Sequence, residues 1–139
     1  MKKLNPDHAA AVQKSVNKCP YFSLLSMEIV SLEAGRSVLK IEVQEKHLQP
    51  YGMVHGGVYS SMMDAACFWA GYTEIDEPLG LTTVEMKLNY LAPASSGIFI
   101  AKGNVLKSGK TLCLSDATMM VLQSLQIQGQ SSLPVKFLD

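Results

Sequence analysis

The stretch Gly56-Gly57-Val58-Tyr59-Ser60-Ser61-Met62-Met63-Asp64-Ala65-Ala66-Cys67-Phe68-Trp69-Ala70-Gly71-Tyr72-Thr73 decides the fold. Val58, Met62, Met63, Ala65, Ala66, Cys67, Phe68, Trp69 and Ala70 fall on nearly every side of a helical period, so the run is predicted as one helix over 56–73. A helix with that much apolar circumference has to be enclosed, because packing of its apolar surface is what keeps it folded in water.

The flanks supply what encloses it. Upstream, residues 27–33 and 37–43 alternate apolar and polar at period two around a turn at Ala34-Gly35-Arg36, which predicts a β-hairpin. Downstream, Glu77-Pro78-Leu79-Gly80 ends the helical region. Strands are then predicted over 81–91, 98–107 and 111–122, with Ser108-Gly109-Lys110 as the turn between the last two. A final strand over about 130–138 is expected, interrupted by Pro134. Asn5-Pro6-Asp7 before His8-Ala9-Ala10-Ala11-Val12 reads as the start of a short capped helix at the periphery, within residues 1–20. The layout is α+β: one antiparallel sheet curved around one long central helix, in a single domain spanning 1–139.

Composition narrows the function. Twelve basic and twelve acidic residues balance to a net charge of zero without a basic run beyond Lys2-Lys3, so there is no electrostatic footprint for nucleic acid. Apolar residues make up 47% and charged ones 17%, a greasy balance that predicts a homo-oligomer. Cys19, Cys67 and Cys113 lie far apart and are odd in number, which argues for reduced thiols and against a disulfide framework or a cysteine-based metal site. Residues 1–14 lack an apolar signal core and no run is long enough to span a bilayer, so no membrane association and a cytoplasmic location are expected.

Asp64 is the one charge between Lys46 and Glu74. An unpaired carboxylate is costly to bury, so it must face either water or a cleft. Ser60, Ser61, Asp64, Phe68 and Gly71 share one helical stripe that could do either. A cleft would make Asp64 a nucleophile or general base. Nine residues earlier, His55-Gly56-Gly57 opens the helix, where free backbone N–H groups and the helix dipole favour a developing oxyanion. The same glycines also suit a simple tight turn, and a single histidine is commonly a structural hydrogen bonder.

Taken together, Gln49-Pro50-Tyr51-Gly52-Met53-Val54-His55-Gly56-Gly57 followed by Asp64-Ala65-Ala66 resembles the signature of the PaaI-like hot-dog acyl-CoA thioesterases. The stretches 82–94 and 103–111 resemble later strands of that family, and the likeness runs from about residue 25 onward. The resemblance implies a hot-dog fold, hydrolysis of an acyl-CoA thioester and no cofactor or metal. It implies that Asp64 is the catalytic carboxylate, that the Gly56 N–H polarises the carbonyl, that His55 orients the turn, and that Gln49 and Thr83 stand near the reacting group. Gly57, Lys107 and Lys110 become candidate coenzyme A contacts, because this chain has Ala92 where many relatives have arginine and its only arginine is Arg36. Strict alternation over 83–90 conflicts with one of these roles, since it points Thr83 away from the apolar face.

Helix geometry adds a separate constraint. Gly56 and Asp64 are eight residues apart, which is roughly 12 Å along a helix. One carbonyl cannot touch both, so a shared site requires two subunits, in a dimer or tetramer. Two other readings stand beside hydrolysis. One is a non-catalytic acyl-CoA or lipid-binding module; the other is an acyl hydratase or dehydratase, which would pair the acid with a histidine as proton shuttle, and the only other histidines, His8 and His47, stand in no matching motif.

Overall fold

The long helix, the first hairpin and the strands near 98–107 and 111–122 form where the sequence patterns place them. The computed structural model describes residues 4–76, 79–123 and 135–136. Two short helices come first, α1 (Pro6–Val16) and α2 (Pro20–Leu25), and the long helix α3 (Gly56–Tyr72) follows the first hairpin. The strands are β1 (Met27–Glu33), β2 (Arg36–Glu42), β3 (Ile98–Ser108), β4 (Cys113–Leu122) and the two-residue β5 (Val135–Lys136). They pair antiparallel in sequence order, β1-β2-β3-β4-β5. The sheet carries α3 on one face, which is the expected hot-dog arrangement.

Alternation sets the core. Met27, Ile29, Leu39, Ile41, Phe99, Ala101, Met119 and Val121 all turn toward α3, where they bury Val58, Met62, Ala65 and Ala66. Small residues let helix and sheet come close. A Cβ on Gly103 would lie 2.2 Å from the Ala66 carbonyl oxygen, and the Ser37 hydroxyl donates to that same oxygen at 2.6 Å. One turn on, the Thr73 hydroxyl donates to the Ala70 carbonyl and accepts the Gly35 N–H, both at 2.7 Å. The C-terminal end of α3 is thereby tied to the β1–β2 turn.

The edge strand β1 is covered by side chains of α1 and of Asn17, which caps the C-terminal end of that helix. Asn17 accepts the Ile29 N–H at 2.7 Å and donates to the Ile29 carbonyl at 3.1 Å, while Gln13 donates to the Ile29 and Val30 carbonyls at 2.9 and 3.1 Å. The β1–β2 register shifts between Ile29 and Ser31, so these amides satisfy backbone groups where the ladder is irregular.

The segment after Cys19-Pro20, for which the sequence patterns gave no element, is a second helix, with Pro20 in its first turn and Phe22 buried. Two expectations need correction. The strand expected over 81–91 is not one: these residues run as irregular chain along α3. Val84 is 79% exposed there. Alternation alone makes a strand only when a neighbour takes up its N–H and C=O groups, and no described strand does so here. Gly71, assigned to the same stripe as Asp64, is instead buried, close to Cys113 and Leu81. The strand expected at about 130–138 is described only at Val135–Lys136; the rest lies outside the described residues. Among the described residues, no helix is long and apolar enough to cross a membrane.

Candidate active site

The N-terminus of α3 is built by its own cap. His55 Nδ1 accepts the Gly57 N–H at 2.8 Å, which requires that nitrogen to be free of a proton, and the ring itself is exposed. Gly56 stands at the first helical position, where an N–H has no intrahelical acceptor. No acceptor takes it among the described residues. A Cβ at Gly56 would meet the Tyr90 ring at 3.4 Å, and the Tyr90 hydroxyl donates to the Gly56 carbonyl at 3.4 Å. Tyr90 therefore covers one side of the turn.

Two helical turns on, Asp64 is half-buried in the floor of an open groove of about 490 Å³. Ser60, Ser61 and Phe68 continue that floor, Tyr21 and Met27 form one wall, and Thr83 and Met86 form the other. The Thr83 hydroxyl donates to Asp64 Oδ1 at 2.8 Å. Thr83 thus faces the carboxylate despite the alternation argument, because that argument presumes a regular strand and residues 81–91 do not form one. One carboxylate oxygen is held in place, and the bond leaves the other available.

Behind this face the surroundings turn apolar. Burial pushes the Cys67 thiol up to about 11, helped by the carboxylates of Asp116 and Asp64. Trp69 stacks edge-on against both Phe68 and Tyr72, with ring centroids 5.1 Å apart in each pair. The far end of the groove is therefore a supported aromatic cluster.

The remaining candidates lie elsewhere. Gln49 turns its side-chain oxygen onto the Tyr51 N–H within its own loop, and no hydrogen bond joins it to Asp64 or Gly56 among the described residues. Lys107 and Lys110 are exposed at the end of the β3–β4 hairpin, away from the groove lining. His47 is buried, with Nδ1 accepting the Gln44 N–H at 2.9 Å and Nε2 donating to the Leu25 carbonyl at 2.7 Å. His8 contacts the Tyr72 hydroxyl at 3.2 Å. Among the described residues of one chain, neither histidine lines the Asp64 groove. Tyr21 and Met27 escaped the sequence reading, and only Cys-Pro as a helix start could have hinted at Tyr21.

The chain is similar to known proteins over most of its length. The chain is 31% identical to human acyl-coenzyme A thioesterase 13 over 125 residues, covering 86% of this chain and 88% of that one. It is 32% identical over 87 residues to a 1,4-dihydroxy-2-naphthoyl-CoA hydrolase from Listeria monocytogenes, covering 63% of this chain and 71% of the relative. Two further relatives from Saccharolobus solfataricus, whose names assign them provisionally as esterases, are 33% and 36% identical over 66% and 68% of this chain. The match spans only 64% and 63% of their own length. Among solved structures, a thioesterase family protein from Silicibacter pomeroyi superposes with a TM-score of 0.77 at 31% identity, covering 84% of this chain and 85% of that one. The family model described as the thioesterase superfamily matches residues 51–125, and the chain belongs to that superfamily.

Proposed function

We propose that the protein hydrolyses an acyl-CoA thioester to a free carboxylic acid and coenzyme A, with Asp64 as nucleophile or general base. The observation that carries this is Asp64 itself: a carboxylate in the floor of a groove, one oxygen fixed by Thr83 at 2.8 Å. As general base, Asp64 takes a proton from water while the water oxygen attacks the carbonyl carbon. The C–S bond then breaks, and the thiolate leaves and takes up a proton. As nucleophile, its oxygen attacks first, the thiolate leaves, and water cleaves the resulting mixed anhydride. In both, negative charge develops on the carbonyl oxygen, and the Gly56 N–H is suited to hold it.

The roughly 12 Å of helix between Gly56 and Asp64 supports drawing that N–H from a second copy of the chain. The site is then shared across a homodimer, or across the dimer halves of a tetramer. His55 positions the turn through Gly57, and Lys107 and Lys110 are candidate contacts for coenzyme A phosphates. Three free thiols fit a reducing cytoplasm.

Thiol release from aryl-acetyl, benzoyl, short-chain and medium-chain CoA esters tests the reading. Wild type should turn over at least one ester, and Asp64→Ala should lose about a hundredfold or more in kcat. Binding of acyl-CoA without turnover by wild type would favour the binding module instead. Mixing Asp64→Ala chains with Gly56→Val chains should restore activity that neither has alone; no recovery in verified mixed dimers would refute the shared site.

A further inference from the structure

We propose that Tyr21 is a specificity-determining residue, whose ring closes the Ser60–Ser61 end of the Asp64 groove and limits how long an acyl chain can lie there. The inference rests on the thioesterase reading and adds which residue measures the substrate.

Tyr21 stands in the groove wall with its hydroxyl 2.5 Å from the Ser61 hydroxyl. Ser61 lies three residues before Asp64 on α3, less than one helical turn away. A chain leaving a carbonyl at Asp64 toward the start of α3 therefore meets the Tyr21–Ser61 pair almost at once. The wall is also fixed in position. Buried Phe22 anchors α2 in the core, His47 donates to the Leu25 carbonyl at 2.7 Å, and Lys46 donates to the Ser26 hydroxyl at 2.6 Å. Ser26 ends the helix at φ +50°, so α2 stops there and does not slide along the groove.

The opposite end of the groove is a different kind of wall. Phe68 and Trp69 belong to α3 itself, with Trp69 packed between Phe68 and Tyr72, so removing either disturbs the main helix. Tyr21 is 53% exposed, and trimming it opens the groove toward solvent without leaving a cavity in the core. Each further methylene that the lengthened groove shields from water is worth about fourfold in binding, so a few shielded methylenes suffice for a large change in preference.

The test is kcat/KM along straight-chain CoA esters from acetyl to lauroyl, for wild type, Tyr21→Ala and Tyr21→Phe. Tyr21→Ala should raise the lauroyl-to-butyryl ratio by about tenfold or more, while Tyr21→Phe, which keeps the ring, should hold the wild-type preference. An unchanged ratio in Tyr21→Ala, with wild type active, would overturn the assignment and leave the thioesterase reading intact. An equal shift in both variants would overturn it as a steric wall and place selection in the Ser61 hydrogen bond. Absence of turnover by wild type on every ester would overturn the thioesterase reading and this inference with it.

Discussion

The two faces of α3 solve opposite problems. The sheet-facing side carries Met62, Ala66 and Ala70, each wholly buried, and brings its backbone within reach of Gly103 and Ser37. The groove side carries Ser60, Ser61, Asp64 and Phe68 and keeps a half-buried carboxylate held by the Thr83 hydroxyl. One face is selected for contact and the other for what it leaves uncovered. Stability and chemistry should therefore separate cleanly by face.

The largest expected effect is on the packed face. Gly103→Ala would place a Cβ against the backbone oxygen of Ala66, and that atom cannot swing aside as a side-chain tip could. Denaturant unfolding should show a loss of about 3 kcal/mol or more; a variant as stable as wild type would mean that helix and sheet are less tightly joined than described. Next comes the boundary between the faces. Cys67, with its thiol at about 11, should react with a thiol reagent at pH 8 about a hundredfold more slowly than the same residue in unfolded chain. The sign follows from proton binding: above about pH 8.5 the unfolded thiol loses its proton while the folded one keeps it. This contribution to stability is intact below that pH and declines as the pH approaches 11. Labelling at the unfolded rate would place Cys67 on open surface.

On the groove face, Thr83→Val keeps the shape and removes the donor to Asp64 Oδ1. Turnover should fall about tenfold with stability changed by less than about 0.5 kcal/mol. Equal turnover would show that Thr83 does not position the carboxylate. The smallest effect is Ser37→Ala, which removes one buried hydrogen bond to Ala66 and should cost about 1 kcal/mol in thermal unfolding without altering turnover.

How far the sequence could be read follows the same division. α3 and the two hairpins were legible because the apolar pattern registers directly which side chains are buried: Met62, Ala65, Ala66 and Ala70 on the helix, Leu39, Ile41, Phe99 and Ala101 on the strands. Asp64 stood out because a charge in such a run needs a reason. Thr83 was harder, since the alternation rule applied to 81–91 assumes a ladder that those residues lack. Tyr21 was invisible for a different cause. A six-residue helix is too short to show a period, and its approach to Ser61 spans 40 residues of sequence. The closeness of Gly103 to Ala66 is likewise a tertiary fact, which no local pattern announces.

Asp64→Asn tests the central claim most directly, because it preserves the shape of the side chain and removes the charge that would take a proton or attack a carbonyl. Thiol release from the ester that wild type prefers and thermal unfolding should be measured on the same preparations. The account predicts that turnover falls about a hundredfold or more while the unfolding midpoint holds or rises. Full turnover by the Asn variant would contradict it, and the reacting group would then have to be sought outside this groove.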